Sequence, residues 1–176
     1  MTIEEMRKNY TLAGLDEKDI NSDPMVQFQT WFDEACQGQL PDWVETNAMT
    51  LSTTNGSGAI SSRVVLLKGI DRGKFFFYTN YDSAKAAQMD SCPNVALCFL
   101  WMHLQRQVRV EGTIIKTDRE RSETYFQRRP RASQLGARAS VQSAVVANRQ
   151  VLQDRMQELE QEFDGQDIPC PENWGG

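Results

Sequence analysis

Residues 62–85 read SRVVLLKGIDRGKFFFYTNYDSAK, an apolar strand with a cation at each end, a tight turn, a second apolar strand and a helix start carrying another cation. From Arg63 to Lys68 the side chains alternate, so Arg63, Val65 and Leu67 share one face while Val64, Leu66 and Lys68 share the other. Asp71-Arg72-Gly73 has turn chemistry, and Lys74 to Asn80 returns as an aromatic-rich strand ending in Tyr78-Thr79. Asp82 or Ser83 is placed to cap a short helix, AKAAQM, with Lys85 in its first turn. Backbone N–H groups and a lysine at a helix start, beside an arginine-bearing strand, make a seat for a phosphate. The same pattern also suits a hairpin whose ends are merely solvated by Arg and Lys.

Outward from this stretch, a polar arm over residues 1–22 precedes a single domain over 23–176. Asp23-Pro24 reads as an N-cap and first helical residue, and Phe28, Trp31, Phe32 and Ala35 follow at i, i+3, i+4, i+7 on one buried face. From Ala48 the pattern changes to strands: AMTLSTT, the turn signal Asn55-Gly56, the two strands of the opening stretch, then VALCFLW and QVRVEGTIIK. In the last of these Val108, Val110, Gly112 and Ile114 share a face. Short hairpin-linked strands favour an antiparallel barrel or sandwich over a parallel sheet, hence an α+β fold that is mainly antiparallel β. Thr117 and Glu120 have capping-box spacing for a helix that stops before Pro130. A last helix shows Leu152, Met156, Leu159 and Phe163 on one face. The end, IPCPENWGG, is expected to lead into another element, as in a fragment of a longer protein.

Composition narrows the function classes. A chain of 176 residues fits one domain and buries roughly 70% of its unfolded surface at this size. A net charge of -5 and a pI of about 5.0 argue against broad binding to nucleic acid or anionic membranes, so an anion site must be local. The apolar run Val95 to Met102 is too short to cross a bilayer, and MTIEEMRKNY has no apolar segment of a secretory signal. Cys36, Cys92, Cys98 and Cys170 form no CxxC pair, which suits reduced thiols in a cytoplasmic protein. The single histidine, His103, excludes a histidine-rich metal site and reads as a loop residue between strands.

A second basic constellation lies in YFQRRPRASQLGARASVQS, residues 125–143. Arg128, Arg129, Arg131 and Arg138 cluster there with no acidic residue between them. Arginine's planar fork suits phosphate, and Tyr125 and Ser133 offer further hydrogen bonds. A solvated basic loop that balances acidic helices is the alternative. The aromatics are too sparse for a single-strand nucleic-acid platform.

Taken in order, RVVLLK, FYTN followed by SxK, RQVRVEG, YFxxRPRxSQxGA and VQS resemble the pyridoxine/pyridoxamine 5′-phosphate oxidase family. The likeness runs from the RKNY of the arm to the terminal WGG. It implies an FMN-binding split β-barrel with peripheral helices, assembled as a homodimer with the flavin at the subunit interface. Carried over residue by residue, it implies flavin contacts from Arg63, Val64, Val65, Leu66, Tyr78 and Thr79, with Lys85 facing the FMN phosphate. Gln107 is implied near the isoalloxazine, and Gln142 and Ser143 as reaching from the partner subunit. Lys68, Tyr125, Arg129 and Ser133 match the grip on the substrate phosphate, and Arg7 and Tyr10 match an arm that closes over substrate.

The reaction implied is oxidation of pyridoxamine or pyridoxine 5′-phosphate to pyridoxal 5′-phosphate, with O2 as electron acceptor, in vitamin B6 biosynthesis. Two departures from the family pattern bear on it. Ala84 stands where the family has an arginine. The family also continues past WGG through an EFW segment and an RLH motif, which supply a tryptophan and an arginine for the flavin and an arginine and histidine for the substrate. None of these is in this chain, His103 belongs to a different motif, and no catalytic residue is assigned. Weak flavin binding and poor turnover are therefore expected of the chain as written. A split-barrel protein that holds FMN or pyridoxal phosphate without turnover is the alternative; a nicotinamide-using flavin reductase is disfavoured by the phosphate grip from Tyr125 to Ser133.

Overall fold

The computed structural model describes residues 1–12 and 14–176. Helix α1, Pro24–Ala35, starts where Asp23 Oδ1 accepts from the Met25 N–H at 2.8 Å, and it buries Phe28 and Ala35. A four-stranded antiparallel sheet has the order β2-β1-β6-β7, from β1 (Ala48–Thr54), β2 (Ile60–Leu66), β6 (Asn94–Trp101) and β7 (Arg106–Thr113). Thr50 lies opposite Val64 on one side and Cys98 on the other, so Met49, Leu51, Leu97 and Phe99 face inward together. Phe28 seals this core with ring centroids 4.9 Å from Phe75 and 5.0 Å from Phe99, both edge-on.

The deciding stretch folds with one change from the expected pattern. The side chains alternate as expected, with the Arg63 face turned inward and Val64 outward, yet the strand starts earlier, at Ile60, and ends at Leu66. Strand β3 (Gly69–Asp71) then pairs with β4 (Lys74–Phe76) across Arg72-Gly73, whose φ of 48° and 73° is the left-handed pair a tight two-residue hairpin turn requires. The aromatic strand expected to run to Asn80 breaks at Phe77-Tyr78. Its continuation, β5 (Thr79–Asn80), leaves β3 and pairs with β8 (Trp174–Gly175). Asn55-Gly56 opens a wider loop than expected: Asn55 Oδ1 accepts from the Ser57 and Ala59 N–H groups, and the left-handed residue is Gly58.

Helix α2 (Ala84–Ser91) follows Ser83, and helix α3 (Arg119–Gln127) is capped by Asp118 rather than Thr117. Thr117 instead shares a 2.9 Å hydrogen bond with Ser122. The basic segment, for which no helix was expected and a solvated loop was the alternative reading, forms helix α4 (Arg131–Ala139), and Pro130 is the hinge. The ring ends α3, and the Pro130 carbonyl accepts from the Ser133 and Gln134 N–H groups to start α4. The buried Gln134 amide donates back to the carbonyls of Phe126, Gln127 and Arg129, satisfying the open end of α3. Helix α5 (Arg149–Glu162) packs on α4, and Phe126, Leu135, Leu159, Phe163, Ile168 and Trp174 form a second core.

From Phe163 the chain returns to the sheet as irregular structure held by arginines. Arg131 donates to the carbonyls of Phe163 and Gln166, Arg138 to Pro169, and Arg119 to Cys170, Pro171 and Trp174. Three cations of the sequence thus satisfy backbone acceptors where no ladder does. In the arm, short 3₁₀ turns span Ile3–Glu5 and Glu17–Asp19, and the Thr11 and Leu12 N–H groups donate to Gln105 Oε1. Among the described residues no helix is long and apolar enough to cross a membrane.

The β5–β8 junction has no room for a side chain at Gly175: a Cβ there would stand 2.2 Å from Tyr81 Oη and 2.8 Å from Ser122 Oγ. Gly175→Ala is expected to cost about 1–3 kcal/mol, read from urea unfolding, and Tyr81→Phe in the same chain should recover part of that loss.

Candidate functional site

Sheet and helical layer meet along a cavity of about 470 Å³. Val64, Val65, Leu66 and Lys68 form one wall, Tyr78, Thr79, Asn80 and Lys85 a second, and Tyr125, Arg129 and the α4 face a third; Trp174 closes the end. On α4, Ser133, Gly136, Ala137 and Ser140 line the cavity at i, i+3, i+4, i+7. Small side chains on this face leave the space open, and a Cβ on Gly136 would meet no atom within 4 Å.

Charge is sorted sharply here. Lys68, Lys85 and Arg129 line the cavity, and among the described residues no carboxylate does. Among the described residues none of the three, nor Arg63, takes part in an ion pair. Lys85 Nζ donates to neutral oxygens only: Gln142 Oε1 at 2.7 Å, Thr79 Oγ1 at 2.9 Å and Ser83 Oγ at 3.1 Å. Burial, with Arg63's charge second, lowers the Lys85 pKa to about 8. Burial also lowers the pKa of Arg129, whose Nη1 is the one buried side-chain polar atom without a partner among the described residues. A guanidinium with an unmet buried donor, bordering a carboxylate-free cavity, is an arrangement suited to an anion.

Aromatic rings frame this cation. Tyr78 stacks on Tyr125 at 4.0 Å and 14°, and on Trp174 at 5.4 Å and 10°. The Arg129 guanidinium lies 4.7 Å from the Trp174 ring centroid. Burial pushes the Tyr78 phenol's pKa up, which keeps it neutral.

The structure brings eleven residues singled out from the sequence to one continuous cavity rather than to two separate sites: Val64, Val65, Leu66, Lys68, Tyr78, Thr79, Lys85, Tyr125, Arg129, Ser133 and Gln142. Five others do not line it. Arg63 stands behind the wall, donating to Leu51 O, Thr53 Oγ1 and Gln88 Oε1, and reaches Lys85 through its charge. Gln107 is exposed on β7, and Ser143 is exposed with a left-handed φ of 71°. Arg7 and Tyr10 are exposed on the arm. Of the clustered arginines only Arg129 lines the cavity, since Arg131 and Arg138 hold the returning chain. Sequence reasoning missed Asn80, the small-residue face of α4 and Trp174; the i, i+3, i+4, i+7 spacing after Arg129 was the available signal for the second of these.

The family model described as "Pyridoxamine 5'-phosphate oxidase" matches residues 32–163. A relative from Rhodopirellula baltica, named pyridoxine/pyridoxamine 5′-phosphate oxidase, is 55% identical over 175 residues, spanning 99% of this chain and 78% of its own length. The chain belongs to the pyridoxamine 5′-phosphate oxidase family. Two solved structures share its fold, the FMN-binding split barrel. PhzG from Burkholderia lata 383, solved with tetrahydrophenazine-1-carboxylic acid, has a TM-score of 0.82 at 23% identity and covers 90% of this chain and 76% of its own. A pyridoxamine 5′-phosphate oxidase-related, FMN-binding protein from Nostoc punctiforme has a TM-score of 0.64 at 16% identity, covering 88% of this chain and 79% of its own.

The lowered Lys85 pKa sets a pH dependence for any phosphate it holds. A bound anion raises that pKa, so binding takes up a proton once the pH exceeds the ligand-free value of about 8. FMN affinity, followed by flavin fluorescence, should be flat between pH 7 and 8 and then fall by up to about tenfold per pH unit. Lys85→Met should bind more weakly at pH 7 and lose the slope.

Proposed function

We propose that this protein is an FMN-dependent oxidase that converts pyridoxamine 5′-phosphate or pyridoxine 5′-phosphate to pyridoxal 5′-phosphate, with O2 as electron acceptor, in vitamin B6 biosynthesis. One observation carries the reading: a carboxylate-free cavity with unneutralised cations at two places, Lys85 on one wall and Lys68 with Arg129 on the others. The reaction brings together two phosphate monoesters, one on cofactor and one on substrate, and each needs such a seat.

The residues present fit FMN. Lys85, Thr79 and Gln142 offer cation, hydroxyl and amide for its phosphate, and Val64, Val65 and Leu66 offer an apolar wall for its rings. Bound there, FMN supplies the two-electron acceptor for the substrate's C4′ carbon and delivers those electrons to O2. The chain's own residues bind and align. Lys68, Arg129, Tyr125 and Ser133 hold the substrate phosphate, fixing how deep the pyridine ring enters. The parallel rings of Tyr78, Tyr125 and Trp174 exclude water from the Arg129 end and keep its charge strong. The role assigned to these residues is to hold and orient the two phosphates. At the α2 start, Ala84 leaves Lys85 as the one cation of that turn.

A homodimer completes the proposal. Val64 and Leu100 are 66% and 58% exposed on the outer face of the sheet, where Gln107 also lies. A second copy on this face would cover them and bring Ser143 to the neighbour's flavin, whereas Gln142, also expected to reach across, bonds Lys85 of its own chain. Four free cysteines suit a cytoplasmic setting.

The test is spectroscopic. Protein reconstituted with FMN should bleach on adding pyridoxamine 5′-phosphate without oxygen, and air should restore the colour with release of peroxide. A flavin that binds yet keeps its colour at saturating substrate would overturn the oxidase reading in favour of holding without turnover. Arg129→Met should raise KM about 10- to 100-fold, as for loss of a charge-assisted hydrogen bond, with little change in FMN retention.

A further inference from the structure

We infer that Trp174 is a positioning residue, whose indole face holds the Arg129 guanidinium ready for a phosphate without consuming its hydrogen-bond donors. The inference rests on the reading of Arg129 as the substrate-phosphate cation. Arg129 is buried at Nη1, has no carboxylate partner and still borders an open cavity. A desolvated cation in that state tends to swing toward water or find a carbonyl. Its neighbours Arg131 and Arg138 have done the latter, each donating to carbonyls of the returning chain.

Arg129 lies instead over aromatic faces, 4.7 Å from the Trp174 centroid and 5.7 Å from that of Phe126. A π face attracts the cation through its quadrupole, whereas the N–H donors lie in the guanidinium plane. A carboxylate in the same place would have occupied those donors and competed with the phosphate for them. The indole therefore solves a particular problem, holding a cation while leaving its bonds unmade.

Trp174 is suited to this because its own position is over-determined. Its backbone pairs with Asn80 in the β5–β8 ladder, its carbonyl accepts from Arg119 at 3.2 Å, and its side chain is 5% exposed. Phe126 meets it edge-on at 5.1 Å, Tyr78 stacks on it at 5.4 Å and 10°, and Tyr125 lies parallel to it at 6.2 Å and 5°. The Arg129 fork thus rests on a fixed ring, while the Tyr125 phenol is held mainly by Tyr78 at 4.0 Å.

The experiment is a double-mutant cycle between Trp174 and Arg129 on the FMN-loaded protein. It reads KM and kcat for pyridoxamine 5′-phosphate and, by calorimetry, the Kd of pyridoxal 5′-phosphate. Trp174→Leu should raise KM and Kd about tenfold, within the range of a desolvated cation–π contact, with kcat and FMN occupancy changed less than about twofold; Trp174→Phe should recover most of the loss. In an Arg129→Met background Trp174→Leu should add almost nothing. Additive losses, or a fall in kcat and flavin occupancy with unchanged KM, would show a merely structural tryptophan and overturn the inference. If Trp174→Leu does not fold, the cycle runs with Trp174→Phe, expected to give a two- to threefold effect that vanishes without Arg129. Coupled Kd values in a protein that does not turn over would sink the oxidase reading and leave this one standing. Absence of pyridoxal 5′-phosphate binding in the unmutated protein would overturn both.

Discussion

Two residues of β8, Trp174 and Gly175, pair with two residues of β5, Thr79 and Asn80, and the site depends on that short ladder. It is the place where the helical layer is tied to the sheet. Without it, α3 to α5 would still have a core of their own around Phe126 and Leu159, and their depth against the sheet would rest on side-chain contacts alone, chiefly Tyr78 on Tyr125, Arg121 with Asp71 and Lys85 with Gln142. The Tyr81 N–H donating to Asn173 O at 2.6 Å and the Thr117 N–H donating to Gly176 O at 3.0 Å extend the tie on either side. Few bonds are involved, so the close approach allowed by Gly175 matters more than their number.

An acidic chain has concentrated unpaired cations in one cavity, and this arrangement opposes stability in the ligand-free protein. Arg63 and Lys85 repel each other, and Lys85 and Arg129 lose hydration without gaining a counter-ion. Cost of this kind is tolerated where a ligand offsets it, because a group that binds only the folded form stabilises that form by mass action. Eight ion pairs lie elsewhere among the described residues, and none drains charge from the cavity. The sorting places positive potential where it acts and neutralises it elsewhere.

Legibility in the sequence followed the range of the forces involved. Helix α1 was readable because Phe28, Trp31, Phe32 and Ala35 carry a helical period, and the sheet because its strands alternate. The helix start at Ser83 with Lys85 in its first turn was readable too, although the expected cap is not made: the Ser83 hydroxyl donates to Asn80 O and accepts from Lys85 instead of from the helix backbone. The break at Phe77-Tyr78 was not, because the new partner of Thr79 lies almost a hundred residues downstream and nothing local announces it. Helix α4 escaped because its cavity face is Ser, Gly and Ala, with no apolar period to detect. The arginine cluster was over-read for a related reason: a sequence shows positive charge, but not whether a carbonyl of a returning chain will claim it. Trp174 looked like part of a tail because its partners, Asn80 and Arg129, come together only in three dimensions.

The Gln142 amide has a consequence for which anions this protein admits. Its oxygen, with those of Thr79 and Ser83, already satisfies all three donors of the Lys85 ammonium. An incoming anion does not fill a vacancy; it exchanges with a resident neutral set. A halide ion brings one compact charge and would surrender several good contacts to make poorer ones. A phosphate monoester offers several oxygens and can replace the amide oxygen while still bonding the neighbouring hydroxyls. Under the proposed function, self-ligation by these three uncharged groups would disfavour compact monovalent anions, raising the threshold for occupancy without adding a negative charge.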